Sequence, residues 1–166
     1  MTGPESTGKS VLTKKLAAHY KALWIPEYAR EYIDQLNHPY TAEDIENIAR
    51  SQLEAEKKAE KSNENFLFCD TELIVCKIWA EYKFGHCPSW ITEQIRQNAY
   101  DLILLTNIDL PWQPDPQREH PDKRKFFFEW FRKELDQFES NYQVVSGLGD
   151  VRFQNAKQII DPYLQA

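Results

Sequence analysis

The chain has 166 residues and a formal net charge of −6, with 42% apolar and 28% charged residues. This composition is typical of one folded domain, it excludes a disordered chain, and its acidic balance argues against a generally basic nucleic-acid-binding protein. No window of about 18 residues is apolar enough for a transmembrane helix, and the first residues lack the apolar core of a secretory signal. The three cysteines have no C-x-x-C spacing, so we expect a reduced, cytoplasmic protein with no cysteine-bound metal and no membrane partner.

The first element is a glycine-rich segment, residues 3–10 (GPESTGKS), which matches G-x-x-x-x-G-K-[ST] at every fixed position. Its glycines permit close backbone approach, and its amides, with the N-terminus of the helix that follows, can bind phosphate oxygens. Lys9 is expected to contact the β- and γ-phosphates of ATP, and the Ser10 hydroxyl to bind Mg²⁺. The residues expected to bind the nucleotide are Gly3, Glu5, Ser6, Thr7, Gly8, Lys9 and Ser10. The alternative is a plain turn that caps a helix.

Only Met1 and Thr2 precede this loop, although a phosphate loop normally follows a strand of several residues. Either the chain lacks its native N-terminus or the sheet lacks its usual central strand. We therefore expect the first strand to be missing, which would lower stability or weaken nucleotide binding.

Along the rest of the chain, short apolar runs alternate with helical patterns. We predict strands at 23–25, 66–69, 102–105 and 143–145, and helices at 9–21, 28–36, 42–62, 72–84, 89–99, 122–140 and 150–160. Continuous apolar strands separated by helices are typical of a parallel sheet covered on both faces. The sequence therefore predicts an α/β fold that forms a single domain over 1–166.

A Glu-Tyr-x-Arg segment follows the first of these strands. Its position predicts that Glu27 lies at the rim of the sheet beside the γ-phosphate, where a carboxylate can accept a proton from a substrate hydroxyl. Arg30, one helical turn later, could pair with a phosphate or with Glu27. The alternative is a surface Glu–Arg pair that contributes less than about 1 kcal/mol.

Two carboxylates follow the second predicted strand. Asp70 comes directly after it, at the edge where α/β sheets bind ligands, and is expected to hold Mg²⁺ directly or through water. The alternative for Asp70 is to cap the next helix. Glu72, two residues on, could assist the metal or the substrate.

A long connection at 107–121 contains four prolines, which prevent a regular helix or an inner strand. A loop of this length in a small domain is usually a lid or a binding loop. Arg118 in this loop could close over the nucleotide and neutralise charge on the transferred phosphoryl group. Trp112 could either stack on a planar ring or anchor the loop in the core.

Five segments in order resemble the nicotinamide-riboside kinase domain of bacterial NadR-type proteins: GPESTGKS, PEYAR (26–30), CDTE (69–72), YDLILL (100–105) and the LPW…D…R loop (110–118). The resemblance implies a P-loop kinase-like fold, with a parallel sheet sandwiched by helices and a loop/helix lid at about 107–121. It implies transfer of the ATP γ-phosphate to the 5′-hydroxyl of nicotinamide riboside to give nicotinamide mononucleotide. ATP and Mg²⁺ are the implied cofactors, and a small nucleoside is the implied partner.

The resemblance also implies roles for individual residues. Catalytic roles fall to Lys9, Glu27, Asp70 and Arg118, and metal binding to Ser10 and Asp70. Contact with the substrate falls to Glu27, Tyr28, Arg30, Glu72, Trp112 and Asp115. A second hypothesis is an NTP-binding regulatory or interaction module with slow ATP or GTP hydrolysis, which would bind nucleotide without an acceptor.

Overall fold

The computed structural model describes residues 1–62, 64, 66–98 and 100–164. Four strands are formed by β1 (Leu23–Ile25), β2 (Leu67–Cys69), β3 (Ile103–Thr106) and β4 (Tyr142–Val145). The helices are α1 (Lys9–Tyr20), α2 (Tyr28–Asp34), α3 (Ala42–Glu60), α4 (Leu73–Phe84), α5 (Ser89–Gln97), α6 (Arg124–Gln137) and α7 (Gly149–Ile160). Short 3₁₀ turns precede α6 and follow α7. Every predicted strand and helix is present to within a few residues, while residue 99 of the predicted 89–99 helix and residues 165–166 of the predicted domain lie outside the described ranges.

All strand pairs are parallel: β1 pairs with β2, and β3 pairs with β4. Met1 and Thr2 lie between the two pairs. The Thr2 N–H donates to the Leu104 carbonyl at 2.8 Å, and the Met1 carbonyl accepts from the Thr71 N–H at 3.0 Å. The place expected for a missing first strand thus holds two residues, of which Thr2 forms a single parallel bridge to Leu105.

The core explains why the strands are apolar without alternation. Leu105 packs into a cluster formed with α4 and α6, and the adjacent Leu104 packs into another formed with α1 and α7. Because successive side chains of a strand point to opposite faces, β3 is covered by helices on both sides. The predicted α/β fold with a parallel sheet between helices is confirmed. None of the helices within the described ranges combines the length and apolarity needed to cross a membrane.

Reciprocal hydrogen bonds mark the start of α3. The Asp44 N–H donates to the Thr41 hydroxyl at 3.3 Å, and the Thr41 N–H donates back to the Asp44 carboxylate at 2.7 Å. This reciprocal pair is a capping box, which satisfies two backbone donors at the start of α3.

A buried ion pair joins α4 to α6. Lys77 Nζ lies 3.0 Å from a Glu134 carboxylate oxygen and 2.7 Å from one of Glu81. Lys77 and Glu134 are 6% and 3% exposed, and the Trp130 indole N–H donates to Glu134 at 3.0 Å. Loss of either partner would leave an uncompensated charge in the core.

Lys77→Ala is therefore expected to lower the free energy of unfolding by about 3 kcal/mol or more, because Glu134 loses its buried partner. The double variant Lys77→Met/Glu134→Leu, which removes both charges and keeps volume, is the control and should recover most of that loss. Urea unfolding measures both. If Lys77→Ala lowers the free energy of unfolding by much less than the double variant does, the buried pair does not behave as described.

Candidate functional site

The glycine-rich segment forms a loop that packs against the end of β3. Gly3 has φ 132°, and a Cβ there would lie 2.5 Å from Thr106 Oγ1. Gly8 has φ 74°, and a Cβ there would lie 2.7 Å from Leu110 Cδ1. Gly3 is therefore required by its backbone angle and by the close approach of Thr106, whereas Gly8 is favoured mainly by its backbone angle, because the end of the Leu110 side chain is free to shift.

Thr7 braces the loop from the side of the sheet. Its buried hydroxyl donates to the Pro4 carbonyl at 2.7 Å and lies 2.7 Å from the Thr106 hydroxyl. The hydroxyl of Thr7, which we expected among the nucleotide-binding residues, is thus part of the loop's support rather than a group facing a phosphate.

Lys9 lies inside the curve of the loop. Its ammonium group donates to the carbonyl oxygens of Gly3 and Pro4, each at 2.8 Å. Burial lowers the pKa of Lys9, and the nearby carboxylates of Glu27 and Asp70 oppose that shift. The charge on Lys9 is therefore surrounded by acceptors and carboxylates, as a phosphate-binding lysine requires.

A cavity of about 460 Å³ extends from the phosphate loop, a size usual for small-molecule sites. It is lined by every residue of the loop 3–10, among them Lys9 and Ser10, by Glu27 and Arg30 at the start of α2, and by Arg118 of the lid. The cations of Lys9, Arg30 and Arg118 can bind phosphate groups, and the Glu27 carboxylate can accept a proton.

Glu27 occupies the N-cap position of α2 but makes no capping hydrogen bond with its side chain. It lines the cavity, and burial raises its pKa, with Lys9 opposing the shift and Asp70 adding to it. A carboxylate with a raised pKa is a better proton acceptor than an exposed one. The geometry therefore suits Glu27 to act as a base.

Asp70 is 1% exposed, and its Oδ1 atom has no hydrogen-bond partner among the described residues. The alternative expectation, that it caps α4, does not hold because Glu72 is the N-cap residue. A buried carboxylate oxygen without a donor fits a cation. The described part of the chain contains no cluster of three or more His, Cys, Asp or Glu side chains, but Mg²⁺ on a nucleotide needs only one or two protein oxygens beside phosphates and waters.

Glu72 lies away from the cavity. One of its carboxylate oxygens accepts the Ile74 N–H at 2.6 Å, and the other accepts the Thr2 hydroxyl at 2.7 Å. Both oxygens are used to cap α4 and to fix Thr2 between β2 and β3. This arrangement differs from the expectation that Glu72 assists the metal or the substrate, because both of its oxygens are already engaged by the helix terminus and by Thr2.

Three other predicted substrate contacts also lie outside the cavity lining. Tyr28 packs beside Tyr32, with ring centroids 6.0 Å apart. The Trp112 ring lies 6.0 Å from the Arg124 guanidinium. Asp115 pairs with Arg30 at 3.1 Å, so Arg30 has this lid residue as its carboxylate partner instead of Glu27.

The sequence did not identify the apolar wall of the cavity. The part of this wall opposite the loop is defined here as the side chains from α4 and α6 that line the cavity: Val75, Ile78, Trp79, Phe127 and Phe131. Their helical spacing is the same as that of core residues, so periodicity alone gave no reason to separate them. A tryptophan at the edge of a buried helical face was the one available signal.

A buried arginine on α7 was also missed. Arg152 is 4% exposed, pairs with Asp109 and donates to the Asn107 carbonyl at 3.0 Å and the Gly147 carbonyl at 3.1 Å. It therefore joins the start of the lid to the connection between β4 and α7. The contacts with Asp109 and Asn107 span more than 40 residues of sequence, which no local pattern reveals.

A family model described as an AAA domain matches residues 1–152. The chain is 27% identical over 122 residues to the trifunctional NAD biosynthesis/regulator protein NadR of Escherichia coli (strain K12), and equally to that of Salmonella typhimurium. A crystal structure of a NadR protein in complex with NR superposes with a TM-score of 0.77 and 25% identity over 98% of this chain. The resemblance to the NadR-type kinase domain is confirmed.

These matches cover only part of the related proteins. The aligned segment is 70% of this chain and 29% of each curated relative, and the structural match covers 49% of the solved chain. The chain thus corresponds to one portion of those longer proteins.

The raised pKa of Glu27 has a consequence for stability. Between the carboxyl's ordinary pKa of 4.5 and its higher native value, the folded protein binds more protons than the unfolded one, so stability falls as pH rises through that window. Glu27→Gln mimics the protonated form, and we expect it to be more stable than the wild type at neutral pH. The difference should vanish below the ordinary pKa.

Thermal or urea unfolding from pH 4 to 8 measures this difference, with the exposed Glu54→Gln as a control that should follow the wild type. A Glu27→Gln protein that is less stable than the wild type at neutral pH would show that the charged carboxylate stabilises the fold.

Proposed function

We propose that this chain, which belongs to the AAA domain family, is an ATP- and Mg²⁺-dependent kinase that phosphorylates the 5′-hydroxyl of nicotinamide riboside or a similar nucleoside. The observation that carries the proposal is the half-buried carboxylate of Glu27 on the same cavity as Lys9 and Arg118. The solved NadR protein bound to NR supports this choice of acceptor.

The donor side of the site is the phosphate loop. Its amides and the N-terminus of α1 would bind the triphosphate, and Lys9 would exchange the Gly3 and Pro4 carbonyls for phosphate oxygens. Ser10 and Asp70 are the residues that would hold Mg²⁺. When bound, the metal neutralises charge on the phosphates.

On the acceptor side, Glu27 would take the proton from the attacking hydroxyl. As the new oxygen–phosphorus bond forms, the bond between the γ-phosphorus and its bridging oxygen breaks, and ADP leaves with the electron pair. Arg118 would stabilise the negative charge of the transferred group. The products are the nucleoside monophosphate and ADP, with the proton left on Glu27.

The apolar wall supports a planar acceptor ring. Trp79 is only partly buried and lines the cavity beside Val75 and Ile78. The pyridinium ring of nicotinamide riboside carries a positive charge, and cations bind favourably over an indole face. Trp79 is therefore the aromatic residue proposed to contact the acceptor ring.

Replacement of the proposed base should separate binding from transfer. Glu27→Gln is expected to retain ATP binding while phosphoryl transfer falls roughly 10²–10⁴-fold, the usual contribution of a general base. Lys9→Ala should lose nucleotide affinity itself. A coupled ADP-release assay with a panel of ribosides, with calorimetry for ATP, measures both.

Normal turnover by Glu27→Gln would exclude Glu27 as the base and make Asp70 the next candidate. If no riboside accelerates ADP release above the rate in water while ATP or GTP still binds, the chain is a nucleotide-binding module and the kinase proposal fails.

The proposed contact between Trp79 and the acceptor ring is tested separately. Trp79→Ala should raise KM for the riboside roughly tenfold, since a cation over an indole contributes about 1–2 kcal/mol in a desolvated site, and leave KM for ATP unchanged. Trp79→Phe, which keeps an aromatic face, should lie between that variant and the wild type. A larger effect of Trp112→Ala than of Trp79→Ala would assign the stacking to the lid instead.

A further inference from the structure

Two side chains of the phosphate loop point toward the lid (residues 107–121). The Glu119 and His120 N–H groups donate to the Glu5 carboxylate at 3.3 and 3.1 Å. The Gln113 N–H donates to the Ser6 hydroxyl at 2.8 Å. Three backbone amides of the lid are thus held by side chains at variable positions of the loop motif.

The charge of Glu5 makes this contact informative. A carboxylate in a loop that binds a triphosphate repels its ligand and weakens nucleotide binding, so we expect it to serve another contact. Here both of its oxygens take donors from the lid. Electrostatics therefore favour a role for Glu5 in the lid rather than in phosphate binding.

Ser6 gives an independent observation. Its φ of 56° is in the left-handed region, which costs a non-glycine residue about 1 kcal/mol or more. A glycine would avoid that cost, but it would have no hydroxyl for the Gln113 N–H. Arg118 donates to the Gln113 carbonyl at 2.5 Å and to the Ser6 hydroxyl at 3.5 Å, so Ser6 holds the segment that orients Arg118.

Residues 115–117 of the lid contact α2, the helix that begins beside Glu27. Asp115 pairs with Arg30 at 3.1 Å, and the Gln117 amide donates to the Asp34 carboxylate at 2.5 Å. The lid therefore bridges the phosphate loop and α2, and its position relative to the phosphates depends on the loop contacts.

We propose that Glu5 and Ser6 are positioning residues that seat the lid on the phosphate loop and thereby set Arg118 over the transferred phosphoryl group. The catalytic part rests on the proposed kinase function. The seating itself is a property of the chain that is measured without any substrate.

The direct test is amide hydrogen exchange of the full chain by NMR. In Glu5→Ala the amides of Glu119 and His120 should exchange roughly tenfold faster than in the wild type, because their acceptor is gone, and in Ser6→Ala the Gln113 amide should do the same. Glu5→Gln, which keeps one acceptor oxygen, should lie between Glu5→Ala and the wild type. Glu54→Gln, an exposed carboxylate on α3, is the matched control and should change none of them.

The kinetic test separates seating from nucleotide binding. Glu5→Ala should bind ATP as tightly as the wild type or up to roughly fivefold more tightly, since a repelling charge is removed. Its transfer to the riboside should fall roughly 10- to 100-fold, because Arg118 is displaced. Glu5→Gln should likewise keep its ATP affinity and lose transfer to the riboside, with a smaller loss than Glu5→Ala.

Unchanged exchange at residues 119 and 120 in both Glu5 variants overturns the proposal. Loss of ATP affinity in Glu5→Gln with wild-type melting also overturns it, since Glu5 would then serve the nucleotide. If the wild type transfers phosphate to no riboside, the kinase proposal fails, and the exchange measurement still decides whether Glu5 and Ser6 seat the lid.

Discussion

The site depends on the contact between the phosphate loop and the end of β3. Gly3 leaves no room for a Cβ against Thr106, and Thr7 brings its hydroxyl to 2.7 Å from the hydroxyl of the same residue. Thr2 extends this contact into the sheet through its hydrogen bonds on either side of Leu105. The position of Lys9, whose ammonium donates to the Gly3 and Pro4 carbonyls, follows from how the loop is fixed there.

A second constraint is the burial of charged groups beside the phosphate loop. Burial raises the pKa of Glu27 and lowers that of Lys9, and each charge partly offsets the other's loss of solvation. Asp70, which does not itself line the cavity, has a buried oxygen without a donor among the described residues, and such an oxygen suits a cation. Such an arrangement reduces stability, and proteins retain it where chemistry needs it.

The sequence predicted what is determined locally. The loop motif and the parallel strands follow from short-range spacing, and both are present. The sequence could not distinguish Trp79 from a core residue, because residues of the apolar cavity wall and residues of the core recur with the same helical period. It also could not pair Arg30 with Asp115, since that contact joins residues 85 positions apart. The sequence also could not show that Glu72, and not Asp70, caps α4: both are carboxylates at a strand-to-helix turn, and only the backbone path decides which one caps the helix.

The most direct test of the account is ³¹P NMR of the chain with ATP, Mg²⁺ and nicotinamide riboside. A phosphomonoester resonance should grow in proportion to ADP, while no inorganic phosphate appears at a comparable rate. Formation of inorganic phosphate alone, or no consumption of ATP, would contradict the proposal that this cavity transfers the phosphoryl group to a riboside.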